Sequence, residues 1–219
     1  MTVSQSHINI LAKKLASVYS ATRSRIESRI AAFQEIRLRE DTMEFFEELV
    51  FCILTPQSRP RMAEKAIATL KAEGLLFAGD AQTVAPHLSI CRFKNGKARS
   101  VVAARELMHD GQIVKLLTSS LPVPDKRMLL ARTVRGIGLK EASHLMRNTG
   151  CNLDAAILDR HVLRFMVEAG LYDAVPGTLT PRLYDDLEAR LYDFSRHISI
   201  PMEALDFVIF YIKTGEIYK

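Results

Sequence analysis

The chain has 219 residues, of which 48% are hydrophobic and 25% charged. That balance gives enough material for a sizeable core and excludes a disordered or collagen-like chain. The formal net charge of +5 suits a polyanionic partner but is too small to read as a nonspecific basic tail.

Apolar residues recur at helical spacing almost throughout. Residues 8–36 carry the first such pattern. Asp41 and Thr42 offer N-caps for a helix that stops near Thr55-Pro56. Residues 59–70 form the next, ended by Gly74, and residues 84–88 a short one. Residues 93–96 read as a turn before a helix over 97–108. Pro122 and Pro124 precede a helix at 125–133. A tight connection over 134–138 leads to a helix over 139–148, closed by Gly150. Helices at 159–169, 181–195 and 201–214 complete the chain. Strict alternation is scarce, so the expectation is an all-α protein of about ten helices.

Cys52, Cys91 and Cys151 are widely spaced and odd in number, which argues against a disulfide framework or zinc cluster and fits a reducing, cytoplasmic setting. The longest apolar runs, 49–54 and 207–212, are far too short to span a membrane, and Met1-Thr2-Val3-Ser4-Gln5-Ser6 lacks a signal-peptide pattern.

The most informative segment surrounds Gly136-Ile137-Gly138, between two short helices. Glycines here allow positive φ and close approach to another molecule. The helix that follows begins with unpaired N–H groups and the positive end of its dipole, a natural seat for phosphate. Taken alone, the pattern also fits a plain helix–helix turn in which Ile137 packs back to lock the bend.

Lys140 falls in the first turn of that second helix, where a positive charge is disfavoured and a neutral amine favoured. In a partly apolar site such an amine is a nucleophile; the competing reading is a solvated surface lysine. Asp159 precedes an amphipathic helix and is a good N-cap. A carboxylate at that point can also stabilise positive charge on a sugar and handle the amine's proton. His161, two residues on, is a phosphate ligand or a locally satisfied histidine.

Gly136-Ile137-Gly138-Leu139-Lys140-Glu141-Ala142, with Ala156-Ile157-Leu158-Asp159-Arg160-His161 downstream, resembles the helix-hairpin-helix DNA glycosylases. It is most similar to the short type 2 8-oxoguanine DNA glycosylase/AP lyases of archaea and bacteria. Phe51-Cys52-Ile53-Leu54-Thr55-Pro56-Gln57-Ser58, Arg92-Phe93-Lys94-Asn95-Gly96-Lys97-Ala98 and the ending Tyr211 to Lys219 extend the resemblance from about Phe45 onward. The absence of cysteine after Cys151 sets the chain apart from relatives that carry an iron–sulfur cluster.

The resemblance implies two helical lobes around a central cleft. Residues 46–150 would form a lobe containing the hairpin, at about 125–148. Residues 1–45 with 151–219 would form the second. Lys140 would be the Schiff-base nucleophile and Asp159 its partner. Arg135, Gly136, Ile137, Gly138 and His161 would bind the DNA backbone, aided by a monovalent cation on the carbonyls of Arg132, Val134 and Ile137. Phe93 and Phe210 would stack on the extruded base, and the carboxylate of Lys219 would read its N7–H. Phe210 stands where family members carry tryptophan, which this chain lacks. Pro56, Gln57 and Ser58 are candidates to fill the gap or touch the opposite base.

The resulting expectation is a monomeric base-excision enzyme for double-stranded DNA containing a damaged base, with no required cofactor and no membrane partner. Lys140 would release the base and β-elimination would cut the strand. The alternatives are a same-fold enzyme for an oxidised pyrimidine or uracil, and a noncatalytic hairpin clamp.

Overall fold

The computed structural model describes residues 5–218, with side chains from residue 8 onward. Among these residues there are eleven α-helices, one 3-10 helix and no strand. Helix α1, Gln5–Arg39, is one 35-residue rod, and α2, Thr42–Leu54, follows directly. Asp41 caps α2 by accepting the Met43 N–H at 2.7 Å. Helix α3 is Pro60–Ala72 and α4 Ala81–Val84, the latter running into a 3-10 turn at Ala85–Leu88. Helices α5 (Lys94–His109), α6 (Gln112–Thr118) and α7 (Val123–Thr133) come next. Then come α8 (Leu139–Asn148), α9 (Arg160–Glu168), α10 (Pro181–His197) and α11 (Met202–Thr214).

Two local expectations are corrected. Residues 94–96 are the first turn of α5 and not a turn before it, because Phe93 at φ 60° sets the bend in a single residue. Helix α6 had no counterpart in the sequence reading: seven residues between Gly111 and Ser119 give too short an apolar pattern to register.

The buried apolar side chains fall into two clusters. One runs from Phe45 to Ala155 and is dominated by α2, whose residues from Phe45 to Leu54 are all buried except Glu47. A helix apolar nearly all round needs neighbours on every side, and α3, α5 and α8 supply them. The second cluster joins Leu11, Leu15, Ile26 and Phe33 of α1 to residues of α9, α10 and α11. Their spacing puts one stripe of α1 against α11, with Phe33 stacked on Phe207 at 6.4 Å between ring centroids. Helix α8 is buried from Ala142 to Asn148. The chain crosses from the first cluster to the second between Ala155 and Ala156. No described helix is long and apolar enough to cross a membrane.

Candidate active site

A cleft of about 1280 Å3 opens between the start of α8, the segment into α9, the turn after α2 and the inner face of α11. Lys140, Asp159, His161 and Phe210 all line it, as do Pro56, Gln57 and Ser58. Residues nineteen positions apart thus reach one groove because α8 and α9 both begin at its wall.

Lys140 is the second residue of α8 and three-quarters buried along its side chain. Its Nζ lies 3.7 Å from Glu141 Oε1, an opposing charge that the sequence reading did not weigh. Glu141 Oε2 also accepts the Gly138 N–H at 3.2 Å, closing the helix start in the manner of a capping box. Asp159 is the N-cap of α9: its Oδ1 accepts the N–H groups of His161 at 2.8 Å and Val162 at 2.9 Å. Both helix starts point charged or polar groups into the groove, where their dipoles add a positive field.

The hairpin between α7 and α8 turns at Gly136, whose φ is +87°. A Cβ there would meet Ser100 Oγ at 2.7 Å, so glycine is required by both backbone and space. Gly138 differs from expectation. Its φ of −102° and ψ of −171° are extended backbone open to any residue. Ile137 has its side chain in the first apolar cluster, and its N–H donates to Val134 O at 3.3 Å. With Gly138 N–H turned to Glu141, helical geometry leaves the Leu139, Lys140 and Glu141 amides for an anion. Arg132 and Arg135 are exposed beside the tip. Among the described residues no group of three His, Cys, Asp or Glu side chains is arranged to hold a metal ion.

The two aromatic candidates separate. Phe210 is half-buried in the cleft, edge-on to the His161 ring at 5.7 Å. Phe93 is 62% exposed and lies outside the cleft lining, with the Arg92 guanidinium 5.5 Å from its ring. Lys219 lies outside the described residues. The tail before it leaves α11 at Gly215 and crosses to the first cluster: Glu216 pairs with Arg61 at 2.7 Å, and the Tyr218 hydroxyl meets Glu64.

Several residues in the cleft or behind its wall were not foreseen. Arg147 of α8 is buried, pairs with Asp206 of α11, and lies 4.4 Å over the Phe207 ring. Burial pushes the Asp206 carboxyl up, Arg147 opposes this, and the Asp159 carboxylate adds to the rise. The signal was present: a carboxylate inside the apolar run Ala204-Leu205-Asp206-Phe207-Val208 demands a buried partner. Lys97 is buried as well, and its Nζ donates to Leu54 O at 2.6 Å, Pro56 O at 2.9 Å and Ser58 Oγ at 2.9 Å. In the sequence Lys97 stood only within the resembling segment 92–98, with no role attached to it.

Comparison with known proteins converges on one group. The family described as 8-oxoguanine DNA glycosylase matches residues 26–200. An 8-oxoguanine DNA glycosylase/AP lyase of Fusobacterium nucleatum is 38% identical over 209 residues, covering 94% of this chain and 96% of the relative. That of Methanocaldococcus jannaschii is 33% identical over 202 residues, covering 89% and 91%. The crystal structure of the Thermotoga maritima 8-oxoguanine DNA glycosylase superposes with a TM-score of 0.87 at 28% identity, covering 97% of this chain and all of that one. The M. jannaschii enzyme in complex with 15mer DNA containing 8-oxoguanine superposes with a TM-score of 0.83 at 32% identity, covering 96% and 100%.

Proposed function

The chain belongs to the 8-oxoguanine DNA glycosylase family, and from that membership we propose that Lys140 and Asp159 carry out its chemistry. It is a bifunctional base-excision repair enzyme that removes 8-oxoguanine from DNA and cleaves the abasic strand. The observation that supports the residue assignment is that both side chains stand at helix starts on one cleft of about 1280 Å3, where a nucleotide extruded from the duplex would be received.

In this reading the Lys140 amine attacks C1′ of the damaged nucleotide. The C1′–N9 bond breaks, the base leaves with the bonding pair, and the sugar opens to an imine on Nζ. Asp159 stabilises the positive charge that grows on the sugar as the base departs, and takes part in moving the amine's proton. Loss of a C2′ proton from the imine then expels the 3′ phosphate. His161, Arg135 and the amides at the start of α8 hold the flanking phosphates, with Gly136 and Gly138 allowing close approach. A monovalent cation on the carbonyls of Arg132, Val134 and Ile137 belongs to the same hypothesis. Phe210, inside the cleft, stacks on the base. Phe93, outside it, is better suited to the duplex at the rim, with Gln57 and its neighbours. The lobes divide at about 46 and 150, a division supported by the two apolar clusters. The enzyme acts as a monomer inside the cell and needs no cofactor.

Borohydride trapping on a duplex with one 8-oxoguanine tests the assignment. Wild type forms a covalent adduct and Lys140→Gln does not; an adduct in Lys140→Gln, or none in wild type, overturns it.

A further inference from the structure

Lys140 and Asp159 stand on separate elements, so their separation must be fixed by something that joins α8 to the segment before α9. That segment, residues 155–158, is buried yet belongs to no helix. Buried backbone polar groups need partners, and here they cannot come from regular structure. They come from α10. Ala156 N–H donates to Glu188 Oε1 at 2.8 Å. Ala156 O lies 2.6 Å from the Tyr184 hydroxyl, which in turn receives the Leu158 N–H at 3.3 Å. One phenol oxygen therefore grips the chain on both sides of Ile157, ending one residue before Asp159.

The same oxygen lies 3.1 Å from Ser143 Oγ, and Ser143 sits three residues, one helical turn, beyond Lys140 on α8. A phenol has one proton. The short 2.6 Å contact to a carbonyl claims it, so the serine hydroxyl donates to Tyr184. Ser143 Oγ is itself held by Arg127 Nε at 2.9 Å. The Arg127 guanidinium stacks 4.3 Å from the Tyr184 ring and is anchored by Asp185 and Glu188. Burial keeps the phenol well above its ordinary titration range, so it remains a neutral O–H donor. Tyr184 is fully buried and does not line the cleft.

We propose that Tyr184 is a positioning residue for base excision: its hydroxyl ties the Lys140 helix, through Ser143, to the Ala156–Leu158 backbone that carries Asp159, and so sets the distance between nucleophile and carboxylate. The inference rests on the reading of Lys140 and Asp159 as the reacting pair. It makes a demand that plain structural support does not. Base departure needs the carboxylate at the sugar as positive charge develops. An abasic site has already lost its base, and its hemiacetal opens to an aldehyde that an amine attacks without expelling one. Loosening the tie therefore harms excision more than cleavage at a preformed abasic site.

The experiment measures single-turnover release of 8-oxoguanine and, separately, cleavage of a preformed abasic duplex. The proteins are wild type, Tyr184→Phe, Ser143→Ala and Asp159→Asn, each checked for folding at the assay temperature. Tyr184→Phe keeps the ring and is expected to slow excision about 10- to 100-fold, the scale of a small misplacement of reacting groups. Abasic cleavage falls much less, so the ratio of the two rates drops. Ser143→Ala cuts the tie to α8 while leaving the Tyr184 grip on Ala156 and Leu158, at the cost of the Arg127 Nε contact as well, and lowers the ratio in the same direction. If Tyr184→Phe does not fold, Ser143→Ala decides alone. An unchanged ratio in the folded variants, or equal losses that follow the folded fraction, overturns the proposal. Should Asp159→Asn excise at the wild-type rate, the pair itself is wrong. If only Asp159→Asn is slow, the pair stands and the tie falls.

Discussion

The Lys97 ammonium reaches the Leu54 carbonyl at 2.6 Å and so closes the C-terminal end of α2 from the side. Its other two partners, Pro56 O and Ser58 Oγ, belong to the turn that presents Gln57, and Ser58 Oγ also receives the Arg92 N–H at 3.0 Å. Gln57 and Phe93 both hold positive φ, at 54° and 60°, a conformation that costs a non-glycine residue about 1 kcal/mol or more. One buried cation thus braces two strained residues, one in the cleft turn and one exposed near its rim.

Lys97→Met, close in shape but unable to donate, leaves those acceptors without their ammonium. It is expected to cost about 2–4 kcal/mol in urea unfolding, and to weaken binding of damaged duplex through the two turns. The pH dependence has a definite sign. Burial lowers the Lys97 ammonium below its ordinary 10.5. The folded protein therefore sheds that proton before the unfolded chain does, and stability rises with pH between the lowered value and 10.5. The stability difference between wild type and Lys97→Met should widen across that alkaline window. A difference that narrows there means the folded protein holds the Lys97 proton more tightly than the unfolded chain, and excludes a titration lowered by burial.

Asp159→Asn keeps an oxygen for the His161 and Val162 N–H groups, so α9 stays capped and the protein folded. What disappears is negative charge beside the sugar. Excision is expected to slow by about 10²- to 10⁴-fold while affinity for the damaged duplex changes little. Gel-shift binding beside single-turnover excision checks both. Near-normal turnover would return Asp159 to the role of cap alone.

The hairpin predicts unequal effects at its two glycines. Gly136→Ala forces a Cβ onto Ser100 Oγ at 2.7 Å and into positive φ, and should cost about 1–3 kcal/mol of stability and weaken damaged and undamaged duplex alike. Gly138→Ala meets only the mobile end of Glu141, at 3.2 Å, and should be the milder change in a thermal melt. Arg135→Ala should lower the slope of log affinity against log salt by about 1, as expected for loss of one phosphate contact. An unchanged slope would remove Arg135 from the interface.

The helices that shape the cleft were legible because α2 and α11 are strongly apolar runs, α9 is amphipathic, and Asp41 and Asp159 are evident caps. Lys140, Asp159, His161 and Phe210 could be gathered from the sequence only through resemblance, since no spacing rule brings α8 to α9. Lys97 and Tyr184 were illegible for a shared reason. Each is a polar side chain whose partners are chiefly backbone oxygens, or side chains tens of residues away, and such contacts leave no local pattern. Phe93 differs from Phe210, with which the resemblance grouped it: its backbone is left-handed and its ring is exposed, features that no apolar pattern forecasts.

The helix carrying Lys140 ends against α1, and that junction tolerates no added atom. Gly150 has φ +67°, and a Cβ on it would lie 2.3 Å from the Phe33 carbonyl oxygen and 2.9 Å from Arg37 Cβ. The first of these is backbone of a long helix and cannot swing aside, so Gly150→Ala must push α8 off α1. The expected cost is about 3 kcal/mol or more, left-handed strain and overpacking together. Because the chain runs from Gly150 through Ala156 to Asp159, excision by the fraction that still folds should fall as well. Gly96→Ala supplies the opposite sign. It lies in the first turns of α5 with ordinary φ and nothing within 4 Å of a new Cβ, so alanine should stabilise by about 0.5–1 kcal/mol. Thermal unfolding of the two variants side by side, with excision measured on each, checks both; a Gly150→Ala protein as stable as wild type would mean that α1 does not pack on the end of α8.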